Sequence, residues 1–217
     1  MIIETNSLYK LTRPARAVKD REFLGATAIT ELERLIRLDY LGLTPDDILD
    51  DKKAINKSRG LRPDAWERVQ EKYGYDLDMN EASFVDCKEL FSAKPHAIDV
   101  ENKTIHMVTL PYTALNMVLT ESEAKDDKGF NDRLWTALGN ILVLQENGID
   151  IGRCLVHYVY INTPDTLLSS YDNRLIHQID ESLFDIITVE VVLKDEDKNT
   201  IIETRDKILK YYPFIQE

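Results

Sequence analysis

The residues KPHAIDVENKTIHMVTLPY, numbers 94–112, contain two short apolar segments separated by a polar stretch. With the residues just before them, these segments run from Phe91 to Ile98 and from Thr104 to Leu110. Both are rich in β-branched and apolar residues, which favour strands. The mostly polar run from Val100 to Lys103 is typical of a turn between two strands. The pattern therefore predicts a β-hairpin in the middle of the chain.

Helices are predicted on both sides of this hairpin. Apolar residues recur at helical spacing from Ala28 to Leu41, and they share one helix face from Arg62 to Tyr73. After the hairpin, residues 132–146 have the pattern of a long helix, and residues 195–212 that of a charged one. Between these two helices, Cys154 to Ile161 is apolar on both faces, which is typical of a central strand. Further predicted segments are a helix start at Thr44–Asp47 and apolar strands at residues 82–87 and 186–193.

The composition favours one globular domain in a reducing compartment. The chain has 217 residues, of which 43% are hydrophobic and 30% charged, and no linker composition divides it. Cys87 and Cys154 are far apart in the sequence, as expected of free thiols in the cytoplasm. The most apolar window, Met107 to Leu119, contains a proline and is too short to cross a bilayer. We therefore expect a cytoplasmic protein of mixed α/β class, with no membrane partner.

The charge distribution sets one segment apart. The formal net charge is −12, which lowers the expectation of broad nucleic-acid binding, because such binding relies on neutralising phosphates. The first 21 residues are nevertheless basic, and they predict either a solvated arm or a phosphate-contacting arm ahead of a single domain at 22–217. The candidate nucleic-acid-binding residues of this arm are Lys10, Arg13, Arg16, Lys19 and Arg21.

Four segments carry a resemblance to a known family. Leu24–Glu31 resembles its loop-to-helix motif, with Thr30 at the usual serine. Arg59–Ala65 resembles its glycine–glutamate helix motif at a shorter spacing, with Arg62 at the glutamate position. The hairpin is followed by Leu138 and Asn140 at glutamine positions, and then by an aromatic-rich strand. In this order the segments resemble viral recombinases of the lambda-exonuclease and YqaJ type, in the PD-(D/E)xK nuclease superfamily. The resemblance implies a central mixed β-sheet flanked by helices.

The hairpin differs from the family at the positions that carry chemistry. The family motif is proline–aspartate, then apolar–glutamate–apolar–lysine, one residue and proline. If one extra residue precedes Pro111, the aspartate is replaced by His96, the glutamate by His106 and the lysine by Val108. In the family the two carboxylates hold Mg²⁺, which activates water, and the lysine assists. The resemblance thus implies a degenerate site with no catalytic residue, no metal and no cofactor.

Two alternative sets of residues could still form a metal site. The carboxylates could have moved to Asp86, Asp99 and Glu101, with Lys103 as the assisting lysine and Mg²⁺ as the cofactor; a solvated hairpin turn is the competing interpretation. Alternatively, the two hairpin histidines could bind a softer metal with Asp99 or Cys87, against ordinary polar packing. The remaining histidines are interpreted as a strand residue, His157, and a surface residue, His177.

The sequence leaves three functions to compare. The first is a catalytically inactive phage or prophage protein that serves as a structural, assembly or interaction protein, with protein partners or self-association. The second is a Mg²⁺-dependent double-strand DNA exonuclease of phage recombination with relocated ligands. The third is a non-cleaving DNA-end binder that uses the basic arm. The acidic total charge favours the first.

Overall fold

The strands form two sheets among the residues that the computed structural model describes, which are 1–17, 22–43, 52–127 and 129–216. The strands are β1 Ile3–Glu4, β2 Phe84–Val85, β3 Phe91–Ala93, β4 Ala97–Asp99, β5 Thr104–Thr109, β6 Arg153–Tyr158 and β7 Ile187–Val192. In the smaller sheet, β3 lies between a parallel β1 and an antiparallel β2. In the larger sheet, β4 to β7 lie in chain order, with β5 and β6 parallel and the other pairs antiparallel. The predicted mixed α/β class is confirmed, with the strands divided between two sheets.

Helices cover both faces of the larger sheet. The α-helices are α1 Leu8–Leu11, α2 Ala26–Tyr40, α3 Lys52–Gly60, α4 Arg62–Tyr73, α5 Glu121–Asp126, α6 Phe130–Glu146, α7 Arg174–His177 and α8 Asp195–Tyr211. The predictions of α2, α4, α6, α8 and β6 are confirmed, and so is the hairpin, except that its predicted first strand, Phe91 to Ile98, is divided into β3 and β4 in different sheets. Helices α1, α3, α5 and α7 were not predicted. The helix start predicted at Thr44–Asp47 lies outside the described residues. In the ranges that are described, no helix combines the length and the apolar character needed to span a membrane.

The alternating side chains of β5 contribute to two separate cores. Ile105 is fully buried in the larger core, which is formed with helix α6 residues such as Leu138 and Ile141. Val108 belongs to a smaller core on the opposite face, where it packs with Trp66 of helix α4. Because side chains alternate along a strand, even and odd positions of β5 face α4 and α6 respectively. This alternation decides which hairpin residues can share a site.

The N-terminal segment contributes buried apolar side chains to the core. β1 pairs with β3, and the side chains of Ile3, Leu8 and Leu11 are at most 2% exposed. The segment packs on α6 at Gly139, where a Cβ atom would clash with the side chain of Leu8 and lie 2.9 Å from Cγ2 of Thr5. The prediction of a solvated arm is therefore wrong for residues 1–11, because their apolar side chains fill space beside α6.

Replacing Gly139 by alanine tests this close contact. We expect Gly139→Ala to lower the free energy of unfolding by about 1–3 kcal/mol, because an added methyl group overpacks a filled site. Chemical denaturation measures the change. Gly60→Ala is the matched control, since a Cβ atom there meets nothing within 4 Å. Equal stability of the Gly139→Ala variant and the unmodified protein would contradict the packing described here.

Candidate functional site

A cleft of about 410 Å³ opens at the edge of the hairpin. Its walls come from the N-terminal segment, the junction of α3 and α4, the residues between β3 and β4, strand β5 and helix α6. Four of its side chains contain basic nitrogen groups: Arg59, Arg62, Lys94 and His96. Among the described residues that line the cleft, Glu4 alone carries a carboxylate, and it accepts a hydrogen bond from Asn6. The cleft is therefore cationic although the chain as a whole is acidic.

The two arginines lie on either side of the turn between α3 and α4. Arg59 belongs to the last turn of α3 and Arg62 to the first turn of α4. Burial, together with the charge of Arg59, lowers the pKa of Arg62. The Nε of Arg62 is buried and has no hydrogen-bond partner among the described residues. The charge of Arg62 is thus desolvated, and no described carboxylate neutralises it.

His96 enters the cleft as a neutral ring. Its Nδ1 accepts a hydrogen bond of 2.7 Å from the backbone N–H of Val108. Burial, together with the positive charge of Arg62, lowers the pKa of His96 to about 3. A neutral imidazole carries one proton, and because Nδ1 accepts, that proton lies on Nε2. His96 can therefore donate one hydrogen bond without adding a charge.

Asn140 of α6 forms the floor of the cleft. The hydroxyl of Thr5 donates to Oδ1 of Asn140 at 2.7 Å, and Nδ2 of Asn140 lies 3.6 Å from the sulfur of Met107. Asn140 stands at one of the two positions predicted to correspond to the family's glutamine, whereas Leu138 is buried in the larger core. The structure therefore places only the second of these two residues in the cleft.

The other two hairpin positions of the predicted site lie elsewhere. His106 and Val108 point to the α4 face of the sheet, opposite to the face of Met107. The His106 ring lies between aromatic side chains, with centroids 5.2 Å from Trp66 and 4.8 Å from Tyr75. The structure thus brings Arg62 and His96 together but does not bring His106 and Val108 to them.

A shift of one residue in aligning the family motif explains why the sequence assigned the site to His106 and Val108. Counted back from Pro111 without an extra residue, the glutamate position falls on Met107 and the lysine position on Thr109. Met107 lines the cleft, and Thr109, two residues further along β5, shares its face. Shifting a strand by one residue moves every side chain to the other face of the sheet. In this register the glutamate and lysine positions of the motif correspond to Met107 and Thr109, and neither residue has a carboxylate or a positive charge.

His106 belongs to a polar chain that crosses three strands. Its Nδ1 lies 3.0 Å from Nε2 of His157, and Nδ1 of His157 lies 2.8 Å from the hydroxyl of Thr188. The hydroxyl of Tyr73 is 2.9 Å from the same Thr188 oxygen. Nε2 of His106 has no partner among the described residues. We assign the protons of both rings to Nδ1, since this leaves a bare lone pair at Nε2 of His106 and not a buried unpaired N–H.

Burial keeps both rings of this pair neutral. It lowers the pKa of His106 to about 4. It lowers the pKa of His157 to about 3, to which the neighbouring His106 and His96 also contribute. His157 was correctly interpreted as a strand residue, whereas the prediction that His177 lies on the surface is wrong. His177 is buried against the Tyr112 ring, and its Nδ1 lies 3.3 Å from the hydroxyl of Thr163.

The acidic residues of the alternative metal site have structural partners. Asp86 is buried, accepts hydrogen bonds from the backbone N–H groups of Leu90 and Phe91, and forms an ion pair with Arg205 at 2.8 Å. This arrangement closes the turn between β2 and β3 and attaches α8 to it. Asp86 therefore belongs to the smaller sheet and not to the hairpin turn.

The hairpin turn contains the rest of that alternative set. Asp99 accepts two hydrogen bonds from Asn102, and Lys103 forms an ion pair with Asp150. Glu101 is exposed in the turn. Across the described ranges, no group of three or more His, Cys, Asp and Glu side chains could hold a metal ion. The geometry gives no support to a relocated site, nor to a site shared by His96 and His106 on opposite faces of the sheet.

The basic residues of the N-terminal segment lie away from the cleft. Lys10 forms an ion pair with Glu31 at 3.2 Å. Arg13 stacks on the ring of Tyr9, and Arg16 is exposed. None of the three lines the cleft, and their role in binding nucleic acid stays a prediction. The other two candidates, Lys19 and Arg21, lie outside the described residues.

Sequence reasoning missed Arg59 and Lys94 as members of the site. Both are present in the motifs that carry the resemblance, three residues before Arg62 and two residues before His96 respectively. The i and i+2 positions of an extended segment share a face, so the spacing of Lys94 and His96 was the available signal. The loop between α3 and α4 offered no such regular period for Arg59.

Comparison with solved structures identifies the fold. The chain is similar to a phage-related exonuclease from Haemophilus somnus 129PT, with a TM-score of 0.86 and 18% identity over 99% of this chain and 95% of that one. It is also similar to the alkaline exonuclease LHK-Exo from Laribacter hongkongensis, with a TM-score of 0.62 and 11% identity over 99% and 91% of the two chains. The complex of LHK-Exo with dAMP matches with a TM-score of 0.62 and 13% identity, over 99% and 90%. No family model matches the sequence, and no curated protein matches it at a significant level. The chain therefore has a lambda-exonuclease-type fold.

The buried histidine pair makes stability depend on pH. Below pH 6.5 the unfolded chain protonates His106 and His157, whereas the folded rings stay neutral until the pH approaches their lowered pKa values of about 4 and about 3. Because the unfolded state binds more protons in this window, the free energy of unfolding falls as the pH is lowered. Between pH 7.5 and 5.5 we expect a loss of about 1.4 kcal/mol per histidine.

Urea denaturation at several pH values in this range measures the effect. His106→Gln should remove the contribution of one histidine from the slope of the free energy of unfolding against pH. The comparison variant is Thr188→Val, because threonine does not titrate in this range. It should keep the part of the pH slope that comes from protonation of His106. The same slope in His106→Gln and in the unmodified protein would contradict the assignment of a neutral buried ring.

Proposed function

We propose that this chain is a non-cleaving nucleic-acid-binding protein built on the exonuclease fold. One observation carries the proposal. The cleft that should hold a divalent metal in a metal-dependent nuclease is lined here by Arg59, Arg62 and Lys94, with Glu4 as the only carboxylate among its described residues.

The residues present do not fit Mg²⁺. This ion requires hard oxygen ligands in an octahedral arrangement, usually with one or two carboxylates. Met107 offers a neutral thioether, His96 a ring nitrogen that already accepts a hydrogen bond, and Arg62 a positive charge that repels a cation. Without a bound metal, the described lining residues provide cations that can contact a phosphate but no metal-bound water to act as the nucleophile.

The same residues suit the phosphates of a nucleic acid. A guanidinium presents planar pairs of donors to phosphate oxygens, and an ammonium contributes a compact charge. No carboxylate of the described chain forms an ion pair with Arg62 or Lys94, so their charges are available to a ligand. Free Cys87 and Cys154 accord with the proposed cytoplasmic location.

This cleft favours nucleic-acid binding over a purely structural role. A protein kept only as a scaffold has no need of a partly buried cation such as Arg62, whose Nε has no partner among the described residues, because a desolvated charge costs stability. Protein partners, self-association and a phage origin stay predictions, and an assembly role in which the protein also holds nucleic acid is compatible with them.

Degradation and binding assays test the proposal on the same samples. Labelled linear duplex and single-stranded DNA are incubated with the protein in Mg²⁺ or Mn²⁺, and binding is followed by fluorescence anisotropy in EDTA. We expect binding that weakens as salt rises, because phosphate contacts release counterions, and no shortening of the DNA. Metal-dependent degradation that is lost in Glu101→Ala would support the relocated site instead. No binding at micromolar protein and low salt would reject the proposal.

Charge reversal in the cleft gives a sharper prediction. Arg62→Glu should weaken DNA binding at least tenfold, since it replaces an attraction for phosphate by a repulsion. Arg37→Glu on the exposed face of α2 is the matched control, because it makes the same change in net charge away from the cleft. Arg16→Glu separates the cleft from the predicted basic arm. Equal losses in the Arg62 and Arg37 variants would indicate a non-specific charge effect and contradict the proposal.

Rebuilding a metal site tests the register of the strand. We expect the combination Arg62→Glu, His96→Asp, Met107→Glu and Thr109→Lys to bind Mn²⁺, because its carboxylates face one cleft. The matched control keeps Arg62→Glu and His96→Asp but carries His106→Glu and Val108→Lys. This control should bind less Mn²⁺ than the first combination, because it has one carboxylate fewer in the cleft, and it should unfold at a lower temperature, since it buries charges against Trp66. Electron paramagnetic resonance measures the bound Mn²⁺, and stronger binding by the control would contradict the register.

A further inference from the structure

We infer that Lys57 is a positioning residue for the proposed nucleic-acid site: its buried ammonium group holds the junction of α3 and α4 against the end of β5, and release of its proton weakens binding in the cleft. This inference rests on the proposed function and adds a control on the same site. Lys57 does not line the cleft, so it acts through the residues of the junction that do.

The side chain of Lys57 is attached to the end of β5. Its Nζ donates hydrogen bonds to the carbonyl oxygens of Pro111 at 2.8 Å and Tyr112 at 3.1 Å, just after that strand. Lys57 is 0% exposed, and its Nζ lies 5.1 Å from the centroid of the Tyr160 ring, a cation–π contact. A charge buried this deeply is stabilised by the groups that point at it, since water does not reach it. The ammonium group is therefore held at one place in the fold.

The backbone of Lys57 belongs to the junction itself. Its carbonyl accepts the N–H of Leu61 at 3.0 Å, and Leu61 is the N-cap residue of α4. The cleft residues Arg59 and Arg62 lie two and five positions after Lys57. Lys57 therefore bonds both to the start of α4 and to the end of β5, the strand that brings Met107 to the same cleft. Movement of the junction away from β5 would displace both arginines from the opposite wall.

Glu181 is the carboxylate whose charge acts on Lys57, and it has other partners. One of its oxygens pairs with Arg68 of α4 at 2.6 Å, and the other accepts the backbone N–H of Asn162. No carboxylate of the described chain forms an ion pair with Lys57. The ammonium group is thus bound by neutral carbonyl oxygens, which stabilise a buried charge less than a carboxylate does.

The other charged groups around Lys57 form ion pairs with one another. On α3 and the residues after β6 these pairs are Lys53 with Asp172 and Arg174 with Asp165. The remaining titratable side chains on the elements packed against Lys57 are Tyr112, Tyr160 and His177.

The charge of Lys57 is lost in mildly alkaline solution. Burial lowers its pKa to about 8, and the charge of Glu181 opposes this change. An ammonium group forms charge-assisted hydrogen bonds, which are roughly twice as strong as those of neutral donors. The neutral amine also loses its attraction to the face of the Tyr160 ring. We therefore expect the junction to be held less firmly, and DNA to bind less tightly, above pH 8.

The pH dependence of DNA binding by the full chain tests the inference. Fluorescence anisotropy with labelled duplex DNA is measured in EDTA from pH 7 to pH 9 at constant ionic strength. We expect the affinity of the unmodified protein to fall by about threefold or more, with a midpoint near pH 8. Lys57→Met should bind more weakly by a similar factor at pH 7 and show no midpoint. Lys57→Arg, whose charge is permanent, should bind equally at both pH values.

Lys52→Met is the matched control, because it removes the same charge from an exposed position of the same helix. It should keep the midpoint of the unmodified protein. If circular dichroism shows that Lys57→Met is unfolded, the profiles of the unmodified protein and of Lys57→Arg decide the question. The same midpoint in both would overturn the inference.

The stability of these variants gives a second, independent measurement. The unfolded chain keeps the Lys57 proton up to the ordinary pKa of 10.5, whereas the folded chain releases it near pH 8. Because the unfolded state binds more protons in this window, the free energy of unfolding should rise with pH relative to that of Lys57→Met. Urea denaturation measures the difference. Stability that rises while DNA affinity falls separates this effect from a general loss of structure in alkali.

A double variant tests whether Lys57 acts through Arg62. Lys57→Met should weaken DNA binding by about threefold in the unmodified background, but by less than about twofold when Arg62→Gln is already present. The size of this coupling is measured by anisotropy at pH 7. A loss of equal size in both backgrounds would show that Lys57 does not position Arg62, and would overturn the inference.

The outcomes separate the two proposals. DNA affinity that does not change between pH 7 and pH 9, or that changes identically in Lys57→Met, overturns the inference and leaves the proposed function standing. Absence of DNA binding at pH 7 rejects the proposed function and, with it, a positioning role for Lys57.

Discussion

The parallel pairing of β5 with β6 is the constraint on which the rest of the structure depends. Six residues of each strand are in register, from Thr104 opposite Arg153 to Thr109 opposite Tyr158. Helix α6 covers one face of this pair and helix α4 the other, so every side chain of β5 has its surroundings fixed by whether its number is odd or even. One face contributes Met107 to an open cationic cleft, and the other faces an aromatic cluster that contains a neutral histidine pair. The two environments are separated by the thickness of a single strand.

The cleft shows how a local charge can oppose the charge of the whole molecule. Most of the acidic excess is on exposed helices and turns, where water and salt screen it. The arginines of the α3–α4 junction lie in a concave wall, where screening is weaker and fields are concentrated. In contrast, the buried cation Arg205 forms ion pairs with Asp86 and Glu146, which tie α8 to the turn after β2 and to the end of α6, although its Nε has no hydrogen-bond partner among the described residues. The fold therefore contains both an ion-paired buried arginine, Arg205, and a partly buried arginine, Arg62, for which no described carboxylate forms an ion pair.

Much of the fold was predictable, because its long elements have strong periodic patterns. The helix from Arg62 to Tyr73 and the apolar strand after Cys154 follow from side-chain spacing alone, and the order of the motifs indicated the exonuclease fold.

The site was predicted only in part. His96 and Arg62 were identified, but a shift of one residue in aligning β5 assigned the site to His106 and Val108. A sequence does not show which face of a strand is covered by which helix, so an error of one position cannot be detected before the partners of the strand are known. The short α1 was missed for a different reason, since four residues are too few to show a helical period.

The contacts of the N-terminal segment have a consequence for how the chain folds during synthesis. Ile3 pairs with Phe91, and Leu8 packs against α6, which ends only at Glu146. The amino group of Met1 also donates a hydrogen bond to the carbonyl of Ile215. The N-terminal segment is therefore synthesised before its partners in β3 and α6, and its apolar side chains lack these contacts until both elements have been made. Loop closure over such separations slows folding, so this segment is where we expect ribosome-associated chaperones to act on the growing polypeptide.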